Sequence, residues 1–235
     1  MAEILDSGNC PAPEVEASLR DLNRINRWFG GVATTRASIE HVARGTGQKH
    51  FSLLEVAAGF GEVPKIAAQQ LARKGITLDV TLLDRAHSHL LPGNYSVVAD
   101  AHALPFPDCS FDLVSCNLFA HHLEAAGLAR FADEALRVSR CAVLINDLVR
   151  HPLHLLLVYA GFPLMRSYVS RADGVASVRR AYLPEEIRQI LSSACSGGSP
   201  PRLEIFRHYL FRMGVIVWKP PAPGAARDPF NPVVP

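Results

Sequence analysis

Paired cysteine is missing from this sequence. Cys10, Cys109, Cys116, Cys141 and Cys195 are odd in number, widely spread and form no CxxC pair. That argues against a disulfide framework and a clustered zinc site, and points to reduced thiols in a cytoplasmic protein. A membrane-length apolar run is missing too. The longest, from Pro152 to Leu164, contains His154 and is too short to cross a bilayer. The start, Met-Ala-Glu-Ile-Leu-Asp, has no basic region leading into an apolar stretch, so a secretory signal is not expected. No sign of charge dominates. The 24 basic and 22 acidic residues leave +2, with the ten histidines neutral. Nothing in that balance pulls the whole chain toward nucleic acid, although a local basic patch stays open. There is no internal repeat, no heptad run and no cluster with metal-ligand spacing, so no metal is expected.

What is present is ordinary globular composition, 49% apolar and 20% charged, over 235 residues. That length suits one α/β domain with elaborations. Leu19, Leu22, Ile25 and Phe29 share a face and predict a helix over 14–29, ended by Gly30-Gly31. A second helix is expected from Thr35 to Arg44, stopped by Gly45 and Gly47. Strands are then expected at 52–57, 78–83, 95–99, 112–116 and 140–146. Helices are expected at 62–73 and 123–138, with short pieces near 85–91 and 102–104. This alternation implies a mostly parallel sheet with helices on both faces. After 147 the pattern changes. Residues 151–183 are apolar, aromatic and basic, with Tyr159, Phe162, Met165 and Tyr168. A helix at 184–194, a turn at 196–201 and strands at 203–208 and 213–219 follow. The tail from Pro220 is Pro-, Ala- and Gly-rich and is expected to be disordered.

The first half carries four ordered signals. Glu55-x-Ala57-x-Gly59-x-Gly61 closes the first strand, and Asp84 closes the second, 23 residues past Gly61. A glycine turn followed by an acid at the next strand end is how an open α/β sheet holds a ribonucleotide-like ligand. Asp100-Ala101 follows the third strand. Ser110-Phe-Asp112-Leu-Val114 opens the fourth, which runs into Asn117-Leu-Phe-Ala-His121-His122.

In that order these segments resemble the class I S-adenosylmethionine-dependent methyltransferases, particularly the branch similar to the ubiquinone and menaquinone C-methyltransferases. Asp100-Ala-His-Ala-Leu-Pro-Phe-Pro-Asp-Cys-Ser-Phe-Asp112 carries most of the likeness, which spans roughly residues 50–148. Three further segments resemble a bacterial subgroup found beside polyketide and quinone-type biosynthesis. They are Asn23 to Gly31, Asn146 to Arg150 and Asp173 to Tyr182. The resemblance implies a Rossmann-like seven-stranded, mostly parallel sheet with a C-terminal antiparallel hairpin and helices on both faces. It implies one domain: an N-terminal helical segment at 14–47, a cofactor-binding core at 50–148, a helical acceptor lid at 149–183, a last helix and hairpin at 184–219, and the tail at 220–235.

It also implies roles. Gly59 and Gly61 would let the backbone pass under the methionine part of the cofactor, with Ala57 in the same turn. Glu55 would position that turn and the cofactor's amino group. Asp84, beside Arg85, would hold the ribose hydroxyls. Asp100 would accept from the adenine amine near the Ala101 amide, and Asn117 and Leu118 would line the cofactor beneath the sulfonium. The family usually has glycine where this chain has Ala57. A methyl there is costly wherever the backbone needs positive φ.

Methyl transfer from a sulfonium is an in-line displacement that needs alignment and, for a hydroxyl acceptor, a base. His121 and His122 are the candidate bases, or else caps of the next helix. His151 and His154 are alternatives. Trp28, Tyr159, Phe162 and Arg179 complete a candidate acceptor site, each with an ordinary packing or surface reading beside it. Asp147 reads as a pocket acid or a helix cap. The expected activity is methylation of a small phenolic, quinone-like or polyketide-type acceptor, oxygen slightly ahead of carbon, with S-adenosylhomocysteine as product. A non-catalytic S-adenosylmethionine-binding protein and a nicotinamide-dependent reductase are the alternatives. Nucleic-acid methylation is disfavoured by the neutral balance and by the lack of an Asn-Pro-Pro-Tyr-type motif.

Overall fold

Phe51 and Leu53 alternate with Leu54 and Val56 along β1 (His50–Val56), and all four are fully buried. A strand buried on both faces belongs in the middle of a parallel sheet. A computed structural model of the chain, which describes residues 4, 10–90, 95–193 and 201–220, places it there. β1 pairs in parallel with β2 (Thr77–Asp84) and with β4 (Phe111–Asn117). β3 (Ser96–Val98) adds to β2, and β5 (Ser139–Leu148) to β4. β7 (Arg212–Trp218) runs antiparallel to β5 and pairs with β6 (Leu203–Tyr209). The order is β3-β2-β1-β4-β5-β7-β6, the sheet and reversed hairpin that the sequence led us to expect. Strand order reverses between β1 and β4, and ligands of open α/β sheets bind at the carboxyl ends of strands around such a point.

The two faces carry separate cores. On one, Ile39 and Val42 of α2 (Gly31–Thr46) and Leu71 of α3 (Glu62–Ala72) pack with Phe51, Leu53, Leu113 and Leu144. On the other, Leu128 and Phe131 of α4 (Ala125–Val138) and Ile187 and Leu191 of α7 (Pro184–Ser192) cover Leu54, Val56, Val114 and Ile145.

Three more helices attend the carboxyl edge: α1 (Ala12–Trp28), α5 (Pro152–Ala160) and α6 (Tyr168–Arg180). α2 begins at Gly31, four residues before the expected start, because Gly30 takes φ 84 and turns the chain directly from α1 into α2. The piece expected at 102–104 is a turn, and the one at 85–91 is a short 3-10 turn, His87–His89. Most of the turn expected at 196–201, Cys195 and the tail from 221 lie outside the described residues.

The 151–183 segment folds as α5, a 3-10 turn at Phe162–Leu164 and α6. α1 ties it down. The buried Asp21 carboxylate accepts the backbone N–H groups of Arg166 (2.8 Å) and Ser167 (3.0 Å) and pairs with Arg24. Arg24 also donates to the Leu164 carbonyl at 3.0 Å, and Ser167 Oγ to Glu14 at 2.8 Å. An Asp21→Ala change orphans two backbone donors and should cost about 1–3 kcal/mol each where burial is kept. Because the chain can open locally there, the expected readout is faster amide exchange over 160–172 with the sheet still protected. Unchanged exchange in that segment would contradict the tie.

Candidate active site

The turn that follows β1 is built from left-handed residues. Ala57 has φ 53, Gly59 φ 52 and Gly61 φ 68. At Gly61 a Cβ would stand 2.4 Å from Leu82 Cδ1, so a larger residue would have to displace that side chain as well as adopt positive φ. Gly59 has room for a Cβ, so its glycine answers to its φ alone. The Ala57 methyl therefore does sit where φ is positive, a position disfavoured by about 1–2 kcal/mol for an L-residue. Ala57→Gly should relieve that strain but give back chain entropy, for a net gain of about 0.5–1 kcal/mol, or roughly 1–3 °C in Tm. A lower Tm would show that the methyl is packed to advantage. Leu118, at the end of β4, also takes φ 53, so two non-glycine residues at neighbouring strand ends are held in a conformation often found at functional sites.

Asp84 locks this turn. Its Oδ2 accepts the Gly59 N–H at 3.0 Å and its Oδ1 the Ala86 N–H at 2.9 Å, with His89 Nδ1 at 3.2 Å. Burial pushes its pKa up, but the bonds from His89, Ala86 and Gly59 outweigh that and hold it below the usual carboxylate range. Asp100 is exposed and accepts from His102 through both the backbone N–H (2.8 Å) and Nδ1 (3.1 Å). The His102 backbone bond, above all, keeps its carboxyl low.

Behind the turn lies a buried polar chain. Glu55 accepts from Ser115 Oγ and from Asn117 Nδ2, the latter at 2.6 Å. Asn117 Oδ1 accepts from Thr35 Oγ1 (2.8 Å) and Asn146 Nδ2 (2.6 Å). Asn146 Nδ2 also reaches the Gly31 carbonyl at 2.7 Å, so β1, β4, β5 and α2 share one network. Burial pushes Glu55 up to about 7, against the two donors that favour its charged form. A carboxyl raised on folding stabilises most below its unfolded value and loses that stability as pH rises through its folded value. From 4.5 to about 7 the loss is of order 3 kcal/mol. Glu55→Gln should flatten this part of the stability curve measured by urea titration between pH 4 and 8. Parallel curves for mutant and wild type would contradict the assignment.

His121 and Asp147 form a buried pair where β4 and β5 end. His121 Nδ1 lies 2.6 Å from Asp147 Oδ1, and the His121 backbone N–H donates to Oδ2 at 3.1 Å. Both side chains are 2% exposed. Burial raises Asp147, yet the charge and hydrogen bonds of His121 and the N–H of Leu148 bring it below the usual range. A carboxylate on Nδ1 fixes the imidazole tautomer and leaves Nε2 as the basic nitrogen.

The turn, the acidic ends of β2 and β3, Asn117 and His121 line one cleft of about 1730 Å³. That exceeds the roughly 300–1,000 Å³ of a single small-molecule pocket, so the cleft has room for two ligands. Glu55, Ala57, Gly59, Asp84, Arg85, Asp100, Ala101, Asn117, Leu118, His121, His122, Trp28 and His154 all lie in its wall. Gly61 lies behind the wall and shapes the turn by packing. Trp28, 60% exposed, stands at the rim.

His151, Tyr159, Phe162 and Arg179 do not line the cleft. His151 is exposed and caps α5 by accepting the Leu153 N–H at 3.1 Å. Tyr159 and Phe162 pack on each other with ring centroids 5.2 Å apart. The neighbour of Arg179 takes the inward place: Arg180 lines the cleft and donates to the His122 carbonyl at 2.6 Å. The helical period decides this, since adjacent residues face about 100° apart. Arg212 and Asn26 also enter the wall, and sequence reading gave neither a role there. Among the described residues no group of three or more His, Cys, Asp or Glu is arranged to hold a metal, and no helix is long and apolar enough to cross a membrane.

Comparison with known proteins agrees with this geometry. Residues 54–141 match the family model described as a methyltransferase domain. No curated protein matches the chain in sequence. The plantazolicin methyltransferase BamL, solved with S-adenosylhomocysteine, is 11% identical with a TM-score of 0.65 over 88% of this chain and 91% of that one. An S-adenosylmethionine-dependent methyltransferase from Aquifex aeolicus is 16% identical, TM-score 0.52, over 77% and 88%. The magnesium protoporphyrin IX methyltransferase of Synechocystis PCC 6803, also solved with S-adenosylhomocysteine, is 13% identical, TM-score 0.51, over 81% and 82%. Identities this low speak for the fold. S-adenosylmethionine is the cofactor of this class, and the left-handed turn, the close-packed Gly61 and the buried carboxylate of Asp84 suit it. The chain thus has the fold shared by class I S-adenosylmethionine-dependent methyltransferases, and its residues 54–141, at the centre of that fold, match the methyltransferase-domain model.

Proposed function

We propose that this protein methylates a small phenolic, quinone-like or polyketide-type acceptor, with oxygen slightly ahead of carbon as the methylated atom. The observation that carries the reading is His121 in the cleft wall, just beyond the Asn117–Leu118 strand end, with the buried Asp147 carboxylate behind it. When bound, S-adenosylmethionine supplies a methyl group already activated on a sulfonium. The protein's own work is then binding, alignment and proton removal.

Asp84 offers ionised acceptor oxygens to a ribose diol at the end of β2, and Asp100 offers one to an adenine amine beyond β3. The Asn117 side chain is held by Glu55, Thr35 and Asn146, so the floor between the two ligands is fixed before either binds. Asp147 orients His121, and Nε2 takes the proton from an acceptor hydroxyl as its oxygen is methylated. α1, α5 and α6 wall the acceptor side and exclude water, with Trp28, Leu157, Leu164 and Met165 as apolar lining. The 100–112 segment supports a place near the ubiquinone-type C-methyltransferases. Free thiols at Cys10, Cys109, Cys116 and Cys141 support a cytoplasmic, reducing setting.

Calorimetry with S-adenosylmethionine and S-adenosylhomocysteine, followed by transfer of labelled methyl to a panel of phenols, hydroquinones and polyketides, tests this reading. Binding of both and label in an extractable small molecule are expected. Failure to bind would sink the cofactor assignment, and binding without transfer to any acceptor would favour a non-catalytic role. Tight NADH binding in its place would favour a reductase.

A further inference from the structure

Arg212 is a charge that the protein buries without an acid to hold. It opens β7, is 2% exposed and lies in the wall of the cleft. Its guanidinium donates to two amide oxygens, Asn146 Oδ1 at 3.2 Å and Asn26 Oδ1 at 3.0 Å. Among the described residues no carboxylate lies within ion-pair distance of it. Asp147 contributes favourable charge from the neighbouring strand, but its oxygens are taken by His121 and by the Leu148 N–H. Burial accordingly draws Arg212 down to about 10.

A guanidinium has five N–H donors, and the two hydrogen bonds to neutral amides leave most of that capacity unused at the cleft wall. Buried charges in proteins are paired or otherwise compensated, because a desolvated ion costs several kcal/mol. The planar fork of arginine matches a carboxylate in two parallel hydrogen bonds. The surroundings are otherwise unsuited to a second cation. His154 lies within reach of the Arg212 field, and burial above all, with that field, holds its imidazole below the ordinary value. Phe211 stacks on His154 at 5.0 Å, so the arginine sits at the end of an apolar and aromatic wall.

Position separates two sources of a carboxylate. The groups suited to the cofactor lie on β2, β1 and β4. Arg212 pairs in register with Leu148 of β5, which puts β7 two strands beyond β4. At about 4.8 Å per strand that is roughly 10 Å farther along the cleft. We infer that Arg212 is the anion-binding residue of the acceptor site, and that the methyl acceptor carries a carboxylate group which docks on it beside the His121–Asp147 pair. The inference rests on the methyltransferase reading above. Asn146 and Asn26 act as positioning residues that hold the fork open, which links acceptor recognition to the same polar network that fixes Asn117.

The test uses the full chain loaded with S-adenosylhomocysteine, and benzoate, salicylate and octanoate as probes, each with its amide as control. Wild type should bind at least one carboxylate and prefer it to the amide by roughly tenfold or more, the worth of one charge-assisted hydrogen bond. Arg212→Met should erase that preference and leave S-adenosylhomocysteine affinity within about twofold. Arg212→Lys keeps the charge and loses the fork, so its preference should fall between the two even if the methionine variant does not fold. A crystal soaked with the bound carboxylate should show both oxygens on the guanidinium. Equal binding of acids and amides, or no carboxylate binding at all, overturns the inference. So does a loss of S-adenosylhomocysteine affinity of about tenfold in Arg212→Lys or Arg212→Met, which would assign the arginine to the cofactor's own carboxylate. Wild type that does not bind S-adenosylhomocysteine fails the methyltransferase reading itself, a distinct result.

Discussion

His121→Ala should lower methyl transfer by roughly 10²–10⁴-fold, the usual worth of a positioned general base, while S-adenosylhomocysteine affinity stays within about twofold. The expectation follows from where the proton must go. A hydroxyl acceptor has to lose its proton as its oxygen attacks, and His121 is the cleft imidazole whose orientation a buried carboxylate fixes. The substitution strands Asp147 in the interior, so some stability is lost as well. Asp147→Asn separates the two effects. It keeps volume but no longer enforces one tautomer, so it should lower kcat more than it changes KM. His122 makes the contrast. Its ring sits against that of His121, with centroids 4.4 Å apart, but it is the His121 ring that the buried Asp147 carboxylate orients. His122→Ala is therefore expected to cost less than His121→Ala. An equal or larger loss in His122→Ala would reverse the assignment of the base. Measured kcat, KM and cofactor affinity for the three variants decide it.

Asp84→Ala should weaken S-adenosylmethionine and S-adenosylhomocysteine binding by roughly 10²–10⁴-fold. Two hydrogen bonds from a ribose diol to a charged acceptor are worth about 1.5–3 kcal/mol each, and 1.4 kcal/mol is tenfold. Part of the loss comes through the turn, because Asp84 also holds the Gly59 and Ala86 N–H groups. Asp84→Asn retains one acceptor oxygen and should fall between. Calorimetric titration with S-adenosylhomocysteine checks both. Undiminished binding by Asp84→Ala would remove the β2 end from the cofactor site.

Much of this architecture was legible in the sequence, and the reasons are specific. The core strands were visible because Phe51 to Val56 and Leu113 to Cys116 are apolar runs bounded by turns, as doubly buried parallel strands must be. Asp84 and the glycine turn were visible because spacing alone carries them. The hazard at Ala57 was legible too, as the methyl sits at φ 53. What stayed hidden depends on tertiary distance. Asp147 had two readings, pocket acid or cap, and only the meeting of β4 and β5 joins it to His121. Arg179 and Arg180 are chemically alike, and the phase of α6 chooses Arg180. Arg212 was missed because the hairpin strand was read from Met213. An arginine at the head of the apolar run Met213 to Trp218 was the available signal. The aromatics of the 151–183 segment misled for the opposite reason. Tyr159 and Phe162 pack on each other, outside the wall that the acceptor would touch.

A crystal structure of the full chain with S-adenosylhomocysteine is the decisive measurement. The ribose diol is expected on Asp84, the adenine beside Asp100 and Ala101, and the sulfur above Asn117 and Leu118, facing His121 across the acceptor space. A ligand seated away from the β1 turn and Asp84, or a sulfur pointing away from His121, would contradict this placement.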